Sequence, residues 1–206
     1  MPFSDQLENL LPLYLSHSQK MDLRMALVQF KDPKKGVNYS NFYHLNPDKE
    51  FLQSDLVSEI RCPHWDSSKF IESYPDAVIL SHGCDITKSN SRALNSKQCV
   101  FAPVLKLSDY IDELKLSNWA DQRITTHVES IKCQEISNIF YMPAKSGIDF
   151  MVLFDKSFWF PTEELNALLP DIANNRMASL TNFGHYLFVF KLSFHFCRLP
   201  EDNERL

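Results

Sequence analysis

Glycine is scarce in this chain: four residues in 206, at positions 36, 83, 147 and 184, so each is a marked position. No C-x-x-C occurs, and the five cysteines (62, 84, 99, 133 and 197) are odd in number. That argues against a disulfide framework and predicts reduced thiols in a cytoplasmic protein. No stretch approaches the roughly 18 consecutive apolar residues of a membrane span. The opening residues, M-P-F-S-D-Q-L-E-N-L-L, lack a charged n-region and a long apolar core, so no secretory leader is expected. Positive charge is not in excess. A net charge of −5 argues against a chain wholly devoted to gripping nucleic acid, while leaving room for a local basic patch. No internal repeat or low-complexity tract is present.

What the sequence does have is aromatic carbon. Sixteen Phe and seven Tyr predict a core built on rings. An apolar fraction of 44% is that of a globular protein, and 206 residues suffice for one domain, 1–206, with an elaborated insert. Ser4 followed by Leu7, Leu10 and Leu11 predicts a short docking helix over 4–15, ended or kinked by Pro12. Residues 24–30 (R-M-A-L-V-Q-F) read as a strand, 32–36 as a turn, and 39–45 as the returning strand. The stretch 55–62 alternates moderately and is expected to end at Pro63. Two further strands are expected at 77–81 and 99–107, with Pro103 marking an edge or a bulge.

Ser108 then opens two predicted helices across 108–135, a helical insert between strands. Short strands are expected at 139–142, 148–154 and 158–160, with a turn at Lys145-Ser146-Gly147. Thr162 is expected to cap a short helix stopped by Pro170. The segment 180–197 fits both a period of two and a period of 3.6. At this length without a turn signal it exceeds a typical strand. A C-terminal aromatic helix over 180–198 is therefore expected, with Thr181 as N-cap and Leu199-Pro200 as stop. The fold class is α+β: a curved antiparallel sheet, or an SH3-like small β-barrel, carrying a helical insert and that terminal helix.

The chemistry-bearing stretch is Asp76 to Asp85, D-A-V-I-L-S-H-G-C-D, a buried-strand pattern running into a polar knot. Four readings stand beside one another. Cys84 near His82 invites a thiol nucleophile, whose plain alternative is a small buried hydrophobe. The i, i+2 pairs Cys62/His64, His82/Cys84 and His195/Cys197 invite zinc. Against zinc, Pro63 and Gly83 interrupt two of the pairs, and the third lies in an expected helix. Ser81 and Asp85 can instead be structural anchors, with Gly83 supplying φ > 0 or a close approach and Asp85 pairing with Arg61 or Arg176. Finally, loop 86–98 carries Lys88, Arg92 and Lys97 without an acid, and the 31–35 turn adds Lys31, Lys34 and Lys35. Such cations can hold single-stranded RNA, their plain alternative being a solvated surface.

The pieces Ser81–Asp85, Ala102–Val104, Arg176–Leu180 and Phe194–Pro200 resemble a group of poorly characterised prokaryotic proteins. Those proteins have a strand ending in S-Q/H-x-C-D and a terminal R-x-A-x-L…F-x-R-x-L-P. More distantly, V-I-L-S, a polar loop and V-F-A-P-V are similar to the core hairpin of MazF/PemK-type toxins. That resemblance implies an SH3-like small barrel. The family cuts RNA without a metal, but its early arginine-bearing loop and catalytic Ser/Thr or acid have no secure counterpart here.

Two functions follow. The first is a binding or regulatory module, a subunit or partner in a toxin–antitoxin or phage-defence type system, joined to a protein partner or to further copies of itself. The second is a metal-independent endoribonuclease-like toxin. There Arg61 or Arg176 would stabilise the phosphorane and His82 or Asp85 would move protons. Ser81, Cys84, Lys88, Arg92 and Lys97 would then contact the RNA strand. No cofactor is implied by either.

Overall fold

The computed structural model describes residues 15–32, 38–45, 49–66, 68–87 and 97–197. The expected 4–15 helix up to Tyr14, Lys34 and Lys35 of the turn, Lys88 and Arg92 of the basic loop, and the Leu199-Pro200 stop lie outside the described residues. In chain order the elements are α1 (His17–Lys31), β1 (Leu56–Val57), β2 (Cys62–Asp66), β3 (Lys69–Ser73), β4 (Ala77–Ile79), α2 (Gly83–Ile86) and β5 (Gln98–Lys106). They continue with α3 (Leu107–Leu116), α4 (Asp121–Lys132), β6 (Ile139–Lys145), β7 (Ile148–Leu153), β8 (Phe158–Pro161), α5 (Thr162–Ala167), α6 (Ile172–Asn175), β9 (Arg176–Ala178) and α7 (Asn182–Cys197). The fold is α+β. A strongly curled antiparallel half-barrel sheet runs β6-β7-β5-β4-β1-β9, with β8 also paired to β5. β2 and β3 form a separate two-stranded ribbon.

Pro103 explains part of the curl. It lies inside the long strand β5, opposite Ala77 of β4. The N–H of Val104 points to the β4 side, onto Asp76 O. The position of the missing Pro103 N–H therefore faces the other side of the strand. There β5 changes partner, from β8 at residues 98–101 to β7 at residues 104–106. The missing donor falls where no single neighbour runs past, so the sheet can bend at that point without orphaning a backbone group.

The core is aromatic, as composition implies: Phe42, Phe101, Phe140, Phe154 and Phe188 are fully buried. The expected helix forms, and α7 supplies one wall through Phe183, Gly184, Leu187 and Phe188. Thr181 caps it, accepting the Gly184 N–H at 3.3 Å on Oγ1. The two helices of the insert are α3 and α4, placed against β6 and β7. The 145–147 turn is built on positive φ at Ser146 and Gly147.

Three expectations are corrected. Residues 24–30 are helical, part of α1. The cause lies upstream: Ser16 and Gln19 form a capping box that starts the helix seven residues before the expected strand. Apolar residues on both sides of α1 blur its period. Ala26 is buried and Phe30 meets Phe190 and Phe194 of α7, while Met21, Met25 and Val28 face outward. With no strand there, residues 39–45 have no hairpin partner. They make only an isolated bridge, Tyr43 to Leu180, and spend their rings on the core. Pro63 does not end a strand but sits within β2, opposite Glu72.

Gly184 is the glycine that the packing requires. A Cβ there would stand 2.8 Å from the carbonyl oxygen of Phe42 and 3.3 Å from the Leu180 side chain. Alanine inside a helix normally gains about 1 kcal/mol over glycine. Against a fixed backbone oxygen the clash should win, and Gly184→Ala should cost about 1–3 kcal/mol in urea unfolding. An unchanged midpoint would mean that α7 can slide away from Phe42.

Candidate functional site

The polar knot after β4 is not an extended strand end. The chain leaves the sheet at Leu80, bends at Ser81 and enters the single helical turn α2 with His82 as its N-cap. His82 Nδ1 accepts the backbone N–H of Cys84 at 3.2 Å. Ser81 Oγ accepts the backbone N–H of Val100 at 2.8 Å, tying the knot to β5. Gly83 has neither of its expected roles: its φ is not positive, and nothing lies within 4 Å of where a Cβ would stand. The polar knot is thus largely architecture, as the anchoring reading of Ser81 implies.

His82 and Cys84 nevertheless line a cavity of about 370 Å³. Its other walls come from residues far along the chain: Ser54 before β1, Ser179 after β9, and Asn182 and His185 on the first turn of α7. Ser54 Oγ lies 3.1 Å from His185 Nδ1. Burial pushes the His185 imidazole down to about 4, the nearby His82 adds to this, and a hydrogen bond to the Gln53 carbonyl opposes it. His185 is therefore a neutral imidazole at pH 7.

One charged pair holds this wall in place. Arg176 Nη1 donates to Asp55 Oδ2 at 3.0 Å and to the Glu50 carbonyl at 2.9 Å, with both ion-pair partners buried. Asp55 Oδ2 also accepts the Leu52 N–H at 2.9 Å. Burial raises the Asp55 carboxyl above the usual carboxylate range, opposed by the Ser179 hydroxyl, the Leu52 N–H and the Arg176 charge. The loop so pinned holds Ser54 at φ 75°, a left-handed conformation uncommon for serine, with its N–H on Ile79 O at 2.8 Å.

The residues singled out in the sequence therefore part company. His82 and Cys84 share the cavity. Arg176 stands behind it on Asp55, not on Asp85. Arg61 belongs elsewhere, forked onto Glu164 of α5 with a further bond at 3.3 Å to Glu72 of β3. The expected pairing of Asp85 with either arginine is corrected: Asp85 lies exposed on α2 and does not line the cavity. Lys97 is exposed at the start of β5, its carbonyl accepting the Thr162 N–H. Ser54, Asp55 and His185 were missed. Ser54 and His185 are 131 positions apart, and neither sits in a local pattern that marks it.

The i, i+2 pairs do not assemble ligands. Among the described residues no group of three or more His, Cys, Asp or Glu side chains is placed to hold a metal ion. For His82 the reason is local, since the Cys84 N–H occupies Nδ1 and leaves the ring hydrogen on Nε2. Nor do the cysteines form a disulfide. No helix among the described residues is long and apolar enough to cross a membrane.

Two outcomes follow. Arg176→Met leaves Asp55 buried without its cation and should cost about 3–5 kcal/mol in urea unfolding. Adding Asp55→Asn should recover part of that loss, and a purely additive double variant would refute the coupling. His185 binds its proton more readily unfolded, near its ordinary 6.5, than folded, near 4. Its contribution is thus complete above pH 6.5 and is lost as pH falls towards 4, up to about 3 kcal/mol. His185→Gln should flatten that part of the stability profile. Comparison with known proteins adds no assignment: no family model matches the chain, and no curated protein or solved structure matches it.

Proposed function

We propose that this protein is a binding module that docks a protein partner on the outer face of α1. The observation that carries the reading is an apolar stripe at i, i+4 and i+7. Met21, Met25 and Val28 are 45%, 46% and 65% exposed on a helix whose other side packs on α7. They border a groove of about 320 Å³ that reaches Phe183 of α7, and Gln29 keeps an unpaired buried Oε1 beside it. Methionine-rich stripes of this spacing suit a partner's amphipathic helix, because the flexible thioethers repack around whatever fills the groove. The far end of α7 adds exposed rings, with Phe194 and Phe196 about half exposed and Phe194 against Phe30 of α1.

The curled half-barrel is the coarse shape that the likeness to MazF/PemK-type small barrels implies, and a place in a toxin–antitoxin or phage-defence type system is part of this proposal. Cutting RNA without a metal would ask for a cation beside the polar cavity. Arg61 and Arg176 are each engaged by carboxylates, and neither lines it. The binding reading is therefore the stronger of the two.

Co-expression with the protein encoded beside it tests the proposal. The tagged chain should retain that protein through size-exclusion chromatography with light scattering. Met25→Glu with Val28→Glu should release it, while shifting the thermal midpoint by no more than about 2 °C, as exposed substitutions do. A clean monomer with nothing retained, or retention indifferent to the two glutamates, would overturn it.

A further inference from the structure

The two imidazoles lining the polar cavity have their tautomers set by the backbone, in opposite senses. On His82 the Cys84 N–H points at Nδ1, so Nδ1 holds a lone pair and Nε2 holds the hydrogen. On His185, Nδ1 lies 3.1 Å from the Ser54 hydroxyl. Ser54 already donates its own hydrogen to the Gln53 carbonyl. With its hydrogen so spent, the hydroxyl is left to accept from Nδ1, which places the ring hydrogen on Nδ1 and the lone pair on Nε2. In each ring Nδ1 is turned to the protein wall, so the Nε2 edges are left for the cavity: one donor on His82, one acceptor on His185.

Three further features narrow the ligand. Among the described residues no Asp, Glu, Lys or Arg side chain lines the cavity, so those residues offer a charged group no counter-charge. Leu52 and Leu180 add apolar surface beside the flat imidazoles, which suits a planar ring. At about 370 Å³ the volume is small for a ligand site and fits a nucleoside better than a peptide. Burial keeps His185 an acceptor at neutral pH. Each nucleobase carries an N–H donor next to an acceptor on its pairing edge, an edge exposed only when the base is unpaired.

We propose that this cavity binds one unpaired nucleobase, with His82 Nε2–H donating to its acceptor and His185 Nε2 accepting from its N–H. The inference is independent of the docking face on α1. Its ligand can be a free nucleoside or a base of an RNA strand, which share this edge.

Imidazole signals of the histidine-labelled full chain, followed by NMR, provide the test. The ligands are adenosine, cytidine, ribose 5-phosphate and a single-stranded tetraribonucleotide. The His82 and His185 ring signals should move with the nucleosides and stay still with ribose 5-phosphate. His82→Ala and His185→Ala should each weaken nucleoside binding by about tenfold or more, the effect of one lost buried hydrogen bond. Met25→Glu with Val28→Glu should leave it unchanged, which separates this site from the docking face. A tetranucleotide binding at least about tenfold tighter than its nucleosides identifies a strand as the source, and equal affinities identify the free nucleoside. The wild-type titration decides the matter even if a variant fails to fold. No movement of either ring with any base-bearing ligand at about 10 mM, well above weak millimolar binding, overturns the proposal. So does equal movement with ribose 5-phosphate.

Discussion

The Asp55–Arg176 ion pair is the constraint on which the candidate site depends. It joins the loop before β1 to the first residue of β9 inside a nearly dry part of the protein. Two charges in such a place are costly unless their remaining valences are filled. Here the Leu52 N–H and the Glu50 carbonyl fill part of them, so the loop from 50 to 55 is fixed by the same contacts that neutralise the charges. Backbone bonds from the Ile79 N–H to Asp55 O and from the Ser54 N–H to Ile79 O then weld that loop to β4. The left-handed φ of Ser54 survives because the surroundings over-determine it.

A second polar device holds the helical insert. Gln134, at φ 61°, takes the Tyr141 N–H on Oε1 at 3.1 Å and donates from Nε2 to the Tyr141 carbonyl at 2.7 Å. Its own carbonyl accepts from the buried Lys191 of α7. Burial pushes the Lys191 ammonium down to about 8, partly offset by Glu135. Each of these buried polar groups ties together elements that the aromatic core alone would leave free to slide.

Where sequence reading succeeded, the signal was local and strong. The uninterrupted length of 180–197, which chose helix where two periods fitted, the paired helices of 108–135 and the Lys-Ser-Gly turn are all read from contiguous residues. Where it failed, two local patterns competed or one was overlooked. The Ser16/Gln19 capping box decided α1 against a strand pattern only seven residues long. Pro103 was correctly seen as a disturbance, but it marks a change of strand partner in the interior of the sheet rather than an edge.

The candidate site divides along the same line. From the sequence alone came the aromatic core, the α+β class, and the identity of 76–85 as the stretch where polar groups leave a buried strand. Hydrophobic periodicity and turn chemistry are short-range properties, and they suffice for that much. Only the tertiary structure decided which polar groups are spent and which face a cavity. Ser81 is consumed by β5, and Arg176 serves Asp55 instead of the polar knot after β4. His82 meets an imidazole from a helix a hundred positions away. Those outcomes depend on chain crossings and on the desolvation of particular groups, and no local pattern encodes either.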